Sequence, residues 1–223
     1  MRRFYTIMTA FLLLCFFVHA ALSQNPEDDK TIDEKVKKFL QSNKYRWRDM
    51  NVPTSDGEKL YDLIIENKYT KALEIGTSTG HSGIWMAWAL SKTGGKLITV
   101  EINERRHREA IENFKETGLS EYIDARLADA HQLVPELEGP FDFVFSDADK
   151  NWYKNYFMAV DPKLGVGGCY VTHNVSARSR GRRYGRGGRS GSYLDYLLSL
   201  PNYETTLYQS GAGMSISFKK SGE

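Results

Sequence analysis

Most of the chemistry-bearing side chains fall in short polar stretches that each close an apolar run. Ser146-Asp-Ala-Asp-Lys150 follows Phe141-Asp-Phe-Val-Phe145 and places two carboxylates and an amine within four residues. Two carboxylates and a lysine at the end of a buried strand would be wasteful as surface decoration and mark the stretch for chemistry. Lys71-Ala-Leu-Glu-Ile75 breaks into Gly76-Thr-Ser-Thr-Gly80, a glycine turn ahead of a helical pattern. Such a turn lets the backbone approach a ligand closely and aims free helix N–H groups at it. Glu101 closes Leu97-Ile-Thr-Val100, about 20 residues beyond the turn, where a carboxylate can bind both ribose hydroxyls of a nucleotide-like cofactor. Asp129-Ala-His131 and His173-Asn174 end two further runs.

Each stretch also has a plainer reading. The glycine turn could be the first strand–helix–strand unit of any α/β domain, Asp129 a helix cap before His131, and Asp147 to Lys150 a cap with solvated charges. The dinucleotide fingerprint G-x-G-x-x-G is not met, because Ser78 stands where its middle glycine belongs.

Glu74-Ile-Gly-Thr-Ser-Thr-Gly80 followed by Glu101 resembles the cofactor site of class I S-adenosylmethionine (SAM)-dependent methyltransferases. More narrowly, the chain from about Val52 to Lys220, with Asp147-Ala-Asp-Lys-Asn-Trp-Tyr153, is similar to the catechol and caffeoyl-CoA type O-methyltransferases. The resemblance implies that SAM is held by Glu74, Gly76, Thr77, Gly80, Ser82, Glu101, Asp129, Ala130, Asp147 and Asp149, with Asp129 and Ala130 at the adenine. It further implies that Asp147 coordinates a divalent metal and that Lys150 takes the proton of the acceptor hydroxyl. One position departs from the family: His173-Asn174 stands where the family has Asp-Asn completing the metal site. Asp147, His173 and Asn174 would carry one negative charge fewer, and imidazole suits Zn²⁺, Mn²⁺ or Fe²⁺ better than Mg²⁺. The expectation is therefore either a shifted metal preference or loss of the metal, His173 then being a hydrogen-bonded loop residue.

The elements that must position these residues alternate along the chain. Strands are expected at Leu73–Ile75, Lys96–Glu101, Ile123–Leu127, Phe141–Phe145 and Gly168–Thr172, with helices at His81–Leu90, Arg105–Thr117 (ended by Gly118) and His131–Leu137. Before the first strand, Thr31 to Leu40 reads as a helix capped by Thr31, Pro53 to Gly57 as a turn, and Glu58 to Asn67 as a helix. After the fifth strand, Ser192 to Leu200 reads as a helix. Tyr203–Tyr208 and Met214–Lys219 read as an antiparallel hairpin. The expected fold is α/β: a Rossmann-like, doubly wound, mostly parallel seven-stranded sheet with a C-terminal antiparallel hairpin. Tyr45, Trp47, Trp152, Tyr153 and Tyr156 could wall an acceptor pocket or be ordinary packing.

The 223 residues suffice for one α/β domain. Arg2 and Arg3 precede an apolar run from Phe4 to about Leu22, with small residues around Ala20 and Ser23. This is the layout of a signal peptide over residues 1–23, cleaved after Ala20 or Ser23, with an uncleaved membrane anchor as the alternative. Either predicts a domain outside the cytosol, residues 24–51 forming a lead and helix and residues 52–223 the methyltransferase domain. Beyond that leader Cys169 is the sole cysteine, so no internal disulfide can form. The leader holds two of the chain's 30 basic residues and none of its 28 acidic ones. The remainder is balanced, which disfavours nucleic acid as a partner. Residues 178–189 nevertheless hold six arginines among glycines and serines. They are expected at the site mouth, recognising an anionic acceptor or forming a solvated or lipid-facing basic loop.

The leading expectation is a SAM-dependent O-methyltransferase acting on a small hydroxylated acceptor, catecholic or anionic, with a homodimer left open. The alternatives are an exported SAM-fold binding protein that transfers nothing, and a carboxyl or protein methyltransferase.

Overall fold

The computed structural model describes residues 26–47, 50–176 and 190–222. The expected leader (residues 1–23) and the arginine loop (178–189) lie outside the described residues. The elements run α1 (Pro26–Ser42), α2 (Thr54–Asn67), β1 (Lys71–Ile75), α3 (His81–Thr93), β2 (Lys96–Glu101), α4 (Glu104–Thr117), β3 (Ile123–Leu127), α5 (Ala130–Glu136), β4 (Phe141–Ser146), α6 (Tyr153–Val160), β5 (Leu164–His173), α7 (Ser190–Leu198), β6 (Tyr203–Tyr208) and β7 (Met214–Lys219). Among the described residues, no helix is long and apolar enough to cross a membrane.

The seven strands form one sheet in the order β3-β2-β1-β4-β5-β7-β6. The first five are parallel, and β7 inserts antiparallel between β5 and β6, pairing His173 with Met214. The order reverses between β1 and β4, which opens a crevice at the carboxyl ends of those strands, where open α/β sheets bind ligands. Burial on both faces explains the near-continuous apolar runs of the central strands. On β1, Leu73 and Ile75 pack on one face with Val144, Tyr153 and Phe157, whereas Ala72 packs on the other with Leu60, Ile64, Met86, Phe143 and Phe145. A third cluster joins α1 to the outside of α3 through Val36, Phe39, Trp85, Trp88 and Phe114.

Two local expectations are corrected. The first helix starts at Pro26 and runs to Ser42, so Thr31 lies inside it rather than capping it. The polar first turn carries no apolar period to mark the start, and proline is well suited to a first helical position. The expected turn over Pro53–Gly57 is instead the opening of α2, which begins at Thr54 with Pro53 at its N-cap. Gly57 is tolerated inside the helix because α3 lies against it: a Cβ there would sit 2.2 Å from Trp85 Cδ1. The hairpin, by contrast, has the expected bounds.

Candidate active site

A cavity of about 620 Å³ opens at the carboxyl ends of the central strands, within the range of small-molecule and cofactor sites. Gly76, Glu101, Asp129, Ala130, Asp147, Asp149, Lys150, His173 and Asn174 all line it. Stretches separated by up to about a hundred residues in the sequence thus converge on one space, as the strand-end reading requires. Glu74, Thr77, Gly80 and Ser82 do not reach its wall.

The turn after β1 shapes one side. Gly76 has φ +101°, and a Cβ on it would lie 2.8 Å from the carbonyl oxygen of Asp147, so the loops after β1 and β4 touch backbone to backbone. Asp147 N donates to Ile75 O (2.9 Å), and the N–H groups of Gly76 and Thr77 donate to Val100 O (3.0 and 3.1 Å), tying the turn to both neighbouring strands. Glu101, at the tip of β2, accepts from Ser78 N through one oxygen and from Asn103 N through the other, both at 2.8 Å. Its carboxylate is thereby fixed at the wall.

Glu74 is instead part of the floor beneath the turn. It lies on the face of β1 that α3 covers, fully buried, with its carboxyl bonded to the hydroxyls of Ser82 and Thr99. Thr77 bonds Thr99 in turn. Burial, helped by the nearby charges of Asp147 and Glu101, outweighs these hydrogen bonds and pushes the Glu74 carboxyl up to about 8. Gly80 caps α3 against Phe114. These four residues hold the turn from behind.

Asp129 is a helix cap, as its plainer reading expects. Its side chain caps α5 by accepting from His131 N (2.9 Å), and it also borders the cavity. The His131 ring stacks on Trp152 with centroids 4.0 Å apart, and its nitrogens lie 3.7 and 3.6 Å from carboxylate oxygens of Asp129 and Asp149. Of the five aromatics considered for an acceptor wall, Tyr156 borders the cavity, Trp152 supports His131, and Trp47 stacks on His81. Tyr45 is exposed, and Tyr153 is buried.

His173 ends β5 at the cavity floor, almost entirely buried. Its Nδ1 lies 2.9 Å from Asp147 Oδ2 and its Nε2 lies 2.9 Å from Asp56 Oδ2. Each ring nitrogen is thus engaged by a carboxyl oxygen. Burial works against a positive charge on the ring, but the hydrogen bonds and negative charges of Asp147 and Asp56 outweigh it and raise His173 to about 9. Tyr153 donates to His173 O (3.1 Å) and also reaches Asp147 Oδ1 (3.5 Å). Asp56 has no exposure to solvent and additionally accepts from Ala212 N (2.9 Å). Gly211 passes so close that a Cβ on it would sit 1.8 Å from Asp56 Oδ1.

Metal coordination needs a ring nitrogen with a free lone pair. In this arrangement both ring nitrogens of His173 and the Asp147 carboxyl are already engaged, so Asp147, His173 and Asn174 do not fit a three-residue metal site. The residues around the glycine turn, in contrast, fit a nucleoside cofactor: a backbone bare of side chain at Gly76, a fixed carboxylate at Glu101 and an open space between them.

Several wall residues carried no sequence signal. Asn51, Arg106 and Ala212 border the cavity without belonging to any motif, and Asp56, enclosed behind His173, was hidden in an apparent turn. His131 was visible only as the neighbour of Asp129.

The fold and cavity define a doubly wound α/β domain with a cleft at its topological switch point. The chain belongs to the O-methyltransferase family, whose model matches residues 23–178. It is 43% identical over 90 residues to a catechol O-methyltransferase of Niastella koreensis, covering 39% of this chain and 40% of that protein. It is 31% identical over 137 residues to caffeoyl-CoA O-methyltransferase 1 of Eucalyptus globulus, covering 59% and 55%. The chain thus spans about half the length of the curated relatives it matches. Among solved structures, it is similar to an O-methyltransferase from Bacillus cereus in complex with SAH, with TM-score 0.71, 22% identity and 92% and 96% of the two chains covered. It is also similar to TomG from Streptomyces achromogenes in complex with SAM, with TM-score 0.73, 23% identity and coverage of 93% and 95%.

Proposed function

We propose that this protein is a SAM-dependent O-methyltransferase that methylates a hydroxyl of a small acceptor. The observation that carries the reading is the convergence of Gly76, Glu101, Asp129, Asp147, Asp149 and Lys150 on one cavity at the strand ends. When bound, SAM supplies an electrophilic methyl group on a sulfonium. Glu101 accepts the ribose hydroxyls, Asp129 and Ala130 flank the base, and Asp149 adds a polar contact at the same wall. Lys150, at the cavity edge, takes the proton of the acceptor hydroxyl and returns it to solvent. Positioning of acceptor oxygen and methyl carbon in line supplies most of the acceleration.

The family membership, and the relatives named for catechol and caffeoyl-CoA, support a hydroxylated aromatic acceptor. The six arginines of residues 178–189 support an acidic group on it. The amino-terminal sequence supports export. The test is calorimetric binding of SAM and SAH, followed by methyl transfer from labelled SAM across a catechol and phenolic-acid panel. Binding with turnover on any member of the panel supports the proposal. Absence of binding overturns it, and binding without turnover across the panel favours a binding protein.

A further inference from the structure

The floor of the cavity is closed by a side chain that bridges two carboxyl groups. His173 joins Asp147, at the end of β4, to Asp56, in the first turn of α2, through two contacts of 2.9 Å, the length of charge-assisted hydrogen bonds. Asp56 is wholly enclosed by α2, by the β6–β7 loop at Gly211 and Ala212, and by His173 itself, so its polar oxygens need the partners found there. The His173 ring thus partners the enclosed carboxyl of Asp56 and also ties up Asp147, which borders the cavity. Two of the three residues that the family resemblance assigns to a divalent ion are engaged with each other.

We propose that methyl transfer by this chain needs no divalent metal, because His173, held between Asp56 and Asp147 at 2.9 Å on either side, engages the side chains that would have to open toward an ion. This rests on the methyltransferase reading above. In the transfer the acceptor oxygen gains the methyl carbon, sulfur keeps the electron pair of the broken S–C bond, and the hydroxyl proton passes to Lys150 Nζ. His173 neither gains nor loses a proton. A bridging ring cannot coordinate the acceptor as a metal would, so orientation of the acceptor falls to the cavity walls.

Two measurements on the whole protein test this without an acceptor. The first is calorimetric titration with Mn²⁺ and, separately, Mg²⁺. The expected result is no saturable uptake by the wild type, and a one-to-one site created by His173→Asp or, should that variant not fold, by His173→Asp combined with Asp56→Asn. The second is ¹⁵N NMR of histidine-labelled wild type. The His173 ring-nitrogen signals should be unmoved by Mg²⁺ or Zn²⁺. Saturable metal uptake by the wild type, or a His173 ring-nitrogen signal that shifts on adding metal, would overturn the proposal. SAH binding measured on the same samples keeps the two readings apart: its absence removes the methyltransferase assignment but leaves the metal and NMR results interpretable. Once an acceptor is known, turnover should change less than twofold in EDTA, and a tenfold loss restored by metal would count against the proposal.

Discussion

Asp56 Oδ2 and His173 Nε2 meet at 2.9 Å across 117 residues of chain, joining the first turn of α2 to the last residue of β5. Replacing Asp56 by asparagine leaves its shape but withdraws the charge opposite His173. Breaking a buried, hydrogen-bonded pair of this kind costs about 3 kcal/mol or more. The expected outcome is a markedly lower denaturation midpoint for Asp56→Asn in urea, and an unaltered midpoint would show that the bridge contributes nothing to folding.

Stability should fall as pH rises. His173, faced by Asp147, Asp56 and the Tyr153 hydroxyl, is raised to about 9 in the folded state from an ordinary 6.5. A group that holds its proton more tightly when folded contributes its full stabilisation below its unfolded value, and that contribution is lost as pH climbs through the folded value. Buried Glu74, raised to about 8 from 4.5, acts in the same direction between those limits. Urea midpoints from pH 6 to 9.5 should decline. In His173→Gln the part of the decline above pH 8 should shrink, and an identical profile would remove His173 as its source.

Glu101→Ala should weaken SAH binding while leaving the fold intact. A hydrogen bond to a charged group contributes about 1.5–3 kcal/mol, roughly 10- to 100-fold in Kd. Because Glu101 also accepts from Ser78 N and Asn103 N, circular dichroism should accompany the titration. An unchanged Kd would detach the ribose from this carboxylate.

Lys150→Ala should lower kcat without changing SAH affinity. General-base contributions run to about 10²–10⁴-fold, and a variant of equal kcat would assign proton removal elsewhere.

Gly57→Ala tests the packing of α2 on α3. Alanine ordinarily favours a helix interior, but here its Cβ would fall 2.2 Å from Trp85 Cδ1. Overpacking of this sort costs about 1–3 kcal/mol, so the melting temperature should drop. A rise would mean that Trp85 has room to give way.

Much of this protein is legible in short windows of its sequence. The strands, the glycine turn and the placement of Glu101 and Asp147 to Lys150 at strand ends follow from apolar periodicity and turn chemistry, which act over a few residues. The hairpin bounds follow in the same way. Windows failed where the signal was absent or ambiguous: the polar first turn of α1, and Pro53 to Gly57, whose turn-forming residues open a helix because Trp85 packs against the glycine. Which motif residues face the cavity was beyond them too. Glu74 belongs to the glycine motif, yet strand alternation directs it under α3 to Ser82, leaving the backbone of Gly76 to face the ligand. The role of His173 was decided by tertiary structure alone. Its charge depends on Asp56, which arrives only because α2 packs over the end of β5 and the β6–β7 loop closes around it. A buried imidazole takes its protonation from the groups the fold puts against it, and no local pattern records them.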